Sequence, residues 1–315
     1  MDYPSSSMIE VVRAGLCDLV MDQGRPGHAA LGVPAGGAAD PAALAAANRL
    51  VGNPATAAGI EIAFAGPVLR FPAGGVVALT GARFAARRSS GAAVAWKQTL
   101  VLAAGETLTL ERAEDGGRCW LAVRGGLAVP PVMGSRSTFL PAGFGGFQGR
   151  ALQNGDSVPC GPVQGEVKWL RAEPPASLAT DTAGPHCLRV VAGPQASWFD
   201  DIGLVAFFTA TYRVAAASDR RGVRLRGAPV SHSQWVLPSQ GVLPGAVQVP
   251  PDGQPIILGW DGPVTGGYPV VAAVIAADWP RLAQLKPGDV VRFETIAVDA
   301  AQIFARQAWN IEELG

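Results

Sequence analysis

Residues 239–293 read SQGVLPGAVQVPPDGQPIILGWDGPVTGGYPVVAAVIAADWPRLAQLKPGDVVRF. Short apolar runs at 256–258, 270–275 and 290–293 alternate with Gly/Pro turns, which is the pattern of short strands joined tightly. Polar residues sit between the runs: Gln248, Gln254, Asp261, Thr265 and Tyr268. Glycine supplies positive φ and lets backbone approach a ligand or another backbone closely. Gly266-Gly267-Tyr268-Pro269 therefore reads both as a barrel turn and as the edge of a site.

The same texture extends outward. Further strand-like runs occur at 9–13, 68–71, 76–80, 99–103, 107–110, 119–123, 188–191 and 236–237. The 40 glycines and 26 prolines are spread along the chain rather than gathered in tracts, so many short strands with tight turns are expected. Helical signals are few. The clearest runs over 40–51, with Asp40 suited to cap it, Pro41 to start it and Gly52-Asn53-Pro54 to stop it. A shorter helix is expected at 278–284 with Asp278 as its cap, and a terminal one at 300–313. The chain is thus mainly β.

The least patterned stretch, AEPPASLATDTAGPH at 172–186, is the expected linker. It separates an N-terminal half, 1–171, from a C-terminal half, 187–315. Gly-acidic turns at Gly105-Glu106, Gly155-Asp156 and Gly288-Asp289 echo between the halves. Internal duplication and the general frequency of such turns both account for them.

Composition narrows the function classes. With 49% apolar and 16% charged residues the chain is a compact globular protein. Lys+Arg and Asp+Glu are 25 each, so no charge excess points to nucleic acid or to an anionic membrane. Few charges and no net charge leave surface for a partner to cover. Cys17, Cys119, Cys160 and Cys187 form no CxxC pair and do not cluster with His28, His186 or His232, so free thiols are expected and no metal site. MDYPSSSMIEVVRAG has no basic segment followed by an apolar one, and no apolar run reaches the roughly 18 residues that span a membrane. A cytoplasmic protein is expected.

Three segments have ligand-binding chemistry. Residues 21–40, MDQGRPGHAALGVPAGGAAD, place Asp22, Arg25 and Asp40 before a helix N-terminus; they read as an anion site or as an ordered, capped loop. Gly134-Ser135-Arg136-Ser137-Thr138, followed by Arg150, offers hydroxyls and forked cations for an oxyanion, or a wide turn with ion-paired arginines. In SDRRGVRL, residues 218–225, strand alternation would put Arg220 and Arg224 on one face, where they clamp a carboxylate or phosphate or simply face solvent. The chain has no P-loop, no GxSxG elbow and no HExxH.

Ordered blocks add a resemblance. They are Asp22-Gln23-Gly24-Arg25-Pro26-Gly27, Asn48-Arg49-Leu50-Val51-Gly52-Asn53, Leu121-Ala122-Val123-Arg124-Gly125-Gly126 and Gly134-Ser135-Arg136-Ser137-Thr138 in the first half. Gly193-Pro194-Gln195, Ser218-Asp219-Arg220, Gln248-Val249-Pro250, Gly253-Gln254-Pro255-Ile256 and Thr265-Gly266-Gly267-Tyr268-Pro269 follow in the second. Over about residues 9 to 295 the chain resembles the 5-oxoprolinase C-subunit family, also called allophanate-hydrolase-subunit-2-like or biotin-dependent carboxyltransferase. The family usually has Gln at the place of Met21 and an acidic residue at that of Gln240.

The resemblance implies two cyclophilin-like β-barrel halves with a few short helices. It implies a B-type subunit, resembling a sporulation-kinase inhibitor, and an A-type subunit as partners. Together these open 5-oxo-L-proline to L-glutamate with ATP and Mg2+, bound in part by the partner subunit. A second branch transfers carboxylate to urea or a related amide from biotin carried in trans. A third possibility is a non-catalytic regulator that binds the inhibitor-like partner. Residue chemistry nominates Asp261, Tyr268 and Asp219 as catalytic, and Arg136, Arg220, Arg224, Gln248 and Thr265 as substrate- or phosphate-binding.

Overall fold

The computed structural model describes residues 7–163, 165–175, 184–232 and 237–314. Residues 176–183 of the expected linker, and Val236 of the expected strand at 236–237, lie outside these. The fold is mainly β, and the chain forms two compact units. The first comprises Met1–Arg25, Gly36–Pro174 and Ala308–Gly315; the second comprises Pro26–Ala35 and Pro175–Gln307.

The first unit has two five-stranded antiparallel sheets. One runs Ser157–Pro159, Met8–Arg13, Val68–Phe71, Glu106–Ala113, Phe84–Arg88. The other runs Cys17–Met21, Gly59–Ala63, Arg118–Val123, Gly75–Gly81, Leu100–Leu102. Ile9, Leu69 and Leu108 of the first sheet share one core with Ile60, Leu79 and Leu121 of the second. The second sheet's other face is covered by Ala47 and Leu50 of the helix Pro41–Leu50, against Val76, Ala78 and Ala122. Covering on both faces is why Gly59–Ala63 is buried at every position instead of alternating. The helix starts as expected: Asp40 Oδ1 accepts from Ala43 N at 2.9 Å. Its stop signal is also a staple, because Asn53 donates to Val123 O and accepts from Gly125 N, both at 2.8 Å.

The second unit closes a seven-stranded barrel in the order His186–Ala192, Val270–Val274, Ala246–Gln248, Ile256–Leu258, Gly222–Arg226, Tyr212–Val214, Val290–Thr295. The last strand returns to the first in parallel, Leu188 opposite Phe293. Leu188, Val190, Leu225, Val247, Ile257 and Val291 fill the interior. The helix Asp201–Thr209 adds Phe207, stacked on Phe293 at 4.4 Å between ring centroids.

The structure corrects several local expectations. The predicted terminal helix is split: Val298–Ala305 is helical, but Asn310–Glu313 is a strand paired with Leu170–Glu173. Burial of Ala172 beside Trp309 and Ile311 drives that pairing, so residues 172–173 belong to a strand rather than to a linker. The helix at Asp201–Thr209 was not foreseen, because DIGLVAFFT is apolar on every side and shows no helical period. Asp278 does not cap Trp279–Gln284, since it ends a 3-10 turn with φ −102° and ψ 1° instead of the extended backbone of a cap. Its carboxylate, fully buried, accepts from Arg189 N at 2.7 Å and from the Arg189 guanidinium. All four cysteines are free, Cys119 and Cys160 buried and the other two half-buried. No helix among the described residues is long and apolar enough to cross a membrane.

Burial ranks the ion pairs and sets a pH dependence. Removing one partner of a buried ion pair strands the other charge, so Asp278→Ala should lower the urea unfolding free energy by about 3–5 kcal/mol. Glu10→Ala, which breaks the exposed pair with Arg70, should cost less than about 1 kcal/mol. Equal losses from the two would refute this ranking. Asp18 is buried and its pKa is raised from 3.8 to about 7, first by desolvation and against a hydrogen bond from Gly15. Below pH 3.8 the carboxyl is neutral folded or unfolded; between there and pH 7 the unfolded chain ionises and the folded one resists, which erodes stability. Asp18→Asn should therefore be near neutral at pH 4 and stabilising at pH 8, by at most about 4 kcal/mol. A melting-temperature shift that is the same at both pH values would count against it.

Candidate functional site

Residues directly opposite on adjacent strands carry their side chains to one face of a sheet. In the barrel, Val223, Ile257, Val247 and Ala272 form such a row, and they pack in the interior. The next row is Arg224, Ile256, Gln248 and Val270. Period-two alternation turns it to the outer face. There Ile256 and Val270 join Val242, Ala246 and Leu258 in a small apolar cluster outside the barrel.

A ribbon of the chain's own residues, Gln240–Gly241 paired with Thr265–Gly266, belongs to the same region. Gln248 is buried and its Nε2 donates to Tyr268 O at 3.2 Å. A Cβ on Gly266 would lie 2.5 Å from that Nε2, so glycine is required for the amide to sit there. Gln195 makes a second tie: its Nε2 donates to Gln240 Oε1 at 3.3 Å while its Oε1 accepts from Val270 N at 3.1 Å.

Beside this ribbon lies a cavity of about 250 Å³, lined by Arg224, Arg226, Pro250, Asp252, Gln254, Ile256 and Tyr268. Its size suits a small metabolite, at the low end of ligand pockets. Most of its polar groups are engaged. Arg226 pairs with Asp252 at 3.4 Å, and Gln254 closes on Gly227 through both amide atoms, at 3.0 and 3.2 Å. Arg224 differs: it is exposed, and among the described residues its guanidinium has no ion-pair or hydrogen-bond partner. Tyr268, 44% exposed, stands at the same cavity.

Of the eight nominated residues, the structure brings Arg224 and Tyr268 together at this cavity. Gln248 and Thr265 do not line it: Gln248 donates to Tyr268 O, and Thr265 pairs with Gly241 in the ribbon. The expected clamp of Arg220 with Arg224 does not form. The strand begins at Gly222, and Arg220 lies before it in a turn closed by the Asp219–Gly222 bridge. Arg220 Nε donates to Asp261 Oδ2 at 2.7 Å and Nη2 to Oδ1 at 3.2 Å, with both side chains buried. Each charge is compensated by the other, so this pair ties two turns together and leaves neither side chain free as anion holder or base. Asp219 accepts from Arg221 N at 2.8 Å and Arg221 Nε at 2.9 Å, which is a turn-closing role. Arg226, Asp252 and Ile256 were not nominated. The sequence held a signal for Arg226, since alternation from Arg224 reaches it; Ile256 lies opposite Arg224 only through the strand register.

Arg136 belongs to the first unit, where Asp22 organises the loops. Asp22 accepts from Gly24 N at 2.8 Å, and from Ser135 Oγ, Ser137 Oγ and Arg136 N at 2.6 Å each. The hydroxyls that suggested an oxyanion site are thus bound to a resident carboxylate. Arg136 Nε donates to Val129 O at 2.8 Å. Arg150 forms a two-point pair with Asp156 at 2.7 and 2.8 Å, and this guanidinium holds Asp156 below the ordinary carboxylate range. Of the two arginines, Arg150 is ion-paired as the turn reading requires, whereas Arg136 is held by a backbone carbonyl.

Comparison with known proteins agrees with this architecture. The family described as carboxyltransferase domain, subdomain A and B, matches residues 31–295. The 5-oxoprolinase C-subunit of Escherichia coli (strain K12) is 38% identical over 314 residues, covering 96% of this chain and 99% of that protein. Urea amidolyase of Saccharomyces cerevisiae is 30% identical over 311 residues, covering 93% of this chain but only 17% of that much longer protein. The crystal structure of the K. lactis urea amidolyase superposes with a TM-score of 0.85 at 28% identity, over 95% of this chain and 19% of that one. Matched along most of its length in each comparison, the chain belongs to the carboxyltransferase-domain family of subdomains A and B, together with the 5-oxoprolinase C-subunit.

Proposed function

We propose that this chain is a subunit of an ATP-dependent 5-oxoprolinase, opening 5-oxo-L-proline to L-glutamate together with B-type and A-type subunits and active only in that complex. The observation that carries the reading is the end-to-end match to the 5-oxoprolinase C-subunit, 96% of one chain against 99% of the other. The barrel groove supports it chemically. The Arg224 guanidinium, without a partner among the described residues, offers a fork for the substrate carboxylate or for a phosphate, and the Tyr268 hydroxyl offers a donor to the lactam carbonyl. Ile256 and Pro250 present an apolar wall to the ring.

A lactam is a poor electrophile, and activation of its carbonyl oxygen places negative charge where cations and N–H donors must receive it. Arg224 can receive such charge. Among the described residues, however, no group of three His, Cys, Asp or Glu side chains is placed to hold a metal ion. The carboxylate that lines this groove, Asp252, is paired with Arg226, so we assign the nucleotide's metal to groups contributed by a partner subunit. A second reading, carboxyl transfer from biotin in trans to urea or a related amide, rests on the urea amidolyase relatives, in which the matching segment is 17% of a longer chain.

Reconstitution separates the two. The purified chain, mixed with candidate B- and A-type subunits, should release glutamate only when ATP and 5-oxoproline are both present. Arg224→Ala should lower kcat/KM on the order of 100-fold, as loss of a charged contact worth about 3 kcal/mol implies. Tyr268→Phe should lower it roughly tenfold, as for one lost hydrogen bond. Intact partner binding without glutamate release would overturn the proposal, and avidin-sensitive carboxylation of urea would install the second reading in its place.

A further inference from the structure

The first unit carries a second concave site, remote in sequence from the barrel groove. Four strands of its first sheet, Met8–Arg13, Val68–Phe71, Glu106–Ala113 and Phe84–Arg88, are antiparallel neighbours in that order. Antiparallel order brings the end of the first, the approach to the second, the end of the third and the start of the fourth to one edge. At that edge the ladder breaks twice, between Val11 and Arg13 and between Phe84 and Ala86. Such bulges bend strands apart and re-aim side chains, and they recur beside functional sites. Phe64, next to the same edge, holds φ at +62°, an unfavourable conformation for a bulky residue.

Along the broken edge lies an open surface groove of about 590 Å³. Part of its lining is small: Ala14, Gly15, Ala65, Gly66 and Ala85. Side chains are excluded there by packing, since a Cβ on Gly15 would lie 2.4 Å from Ala65 O and one on Gly66 would lie 2.5 Å from Leu110 Cβ.

The charges of this groove do not balance. Glu111 is bound to Arg87. Arg13 and Arg112 are exposed, and among the described residues neither guanidinium has an ion-pair or hydrogen-bond partner. Beside them Leu16 is 69% exposed. Two forks without a partner among the described residues, next to an exposed apolar side chain, match one kind of ligand, an oxyanion with an apolar body.

We propose that this groove binds an amphiphilic oxyanion, with Arg13 and Arg112 holding the head group and Leu16 and Ala85 covering the apolar body. Binding is a property of the isolated chain and does not depend on the activity proposed above.

Titration calorimetry on the full chain tests this with four probes: octanoate, octyl phosphate, 1-octanol and inorganic phosphate. At least one of the two amphiphilic anions should bind saturably, and at least tenfold more tightly than 1-octanol and inorganic phosphate; which of the two binds tighter identifies the head group. The double variant Arg13→Gln/Arg112→Gln should weaken that binding at least tenfold and Leu16→Ser severalfold, while Arg224→Gln should leave it unchanged. The substituted side chains are exposed, so an unaltered melting temperature verifies the fold of each variant. Amide shift perturbations on adding the anion should cluster at residues 13–16, 65–66, 85 and 111–112. The proposal fails if neither anion binds, if 1-octanol or inorganic phosphate binds as tightly, if the double variant binds like the parent, or if the perturbations cluster elsewhere.

Discussion

The second unit depends on a pairing between the two ends of its barrel. The strand Val290–Thr295 lies parallel to His186–Ala192, about a hundred residues earlier, and antiparallel to Tyr212–Val214. Closure of the barrel removes its free sheet edges and gives every strand an inside and an outside. From that follows the assignment of Val223, Ile257 and Val247 to the core, and of Arg224, Ile256 and Gln248 to the outer row. The groove lies against the outer row, which carries the Arg224 guanidinium where the inner row carries only hydrocarbon. Such a contact closes a long loop, so its entropy must be offset before the local strands contribute.

Charged residues of this chain divide into two sets. Asp22, Asp278 and the Arg220–Asp261 pair are buried or half-buried, and their hydrogen-bonding capacity is used within the fold. Removing water from a carboxylate costs several kcal/mol, and these side chains meet that cost with two to four donors each. They knit loops to strands where backbone pairing runs out. Arg224, Arg13 and Arg112 are exposed at concave surfaces and have no such partners among the described residues. The contrast is physical: a satisfied charge stabilises the fold, and an unsatisfied one at a cavity is available to a ligand.

The same contrast explains how much of the site was legible in the sequence. Tyr268 and Arg224 stood out by type and by the glycines and alternation around them, and both reach the groove. Asp261, Asp219 and Arg220 have equally suggestive types but close turns or pair with one another. The Gly134–Thr138 hydroxyls looked like an anion cradle because the carboxylate that fills it, Asp22, is more than a hundred residues away. No local pattern separates a donor that waits for a ligand from one that already has an acceptor. The strand Asn310–Glu313 was misread for a related reason, since its partner, Leu170–Glu173, is distant in sequence.

The sequence by itself determined the mainly β character, ten of the expected strands, the capped helix after Asp40 and the family, because these depend on period-two alternation, turn residues and local capping. Only the tertiary structure decided that the barrel closes, that Gly266 must yield room to Gln248, and which arginines are spent and which remain. Those outcomes depend on which distant groups meet, and on the cost of burying a charge or a donor that meets none.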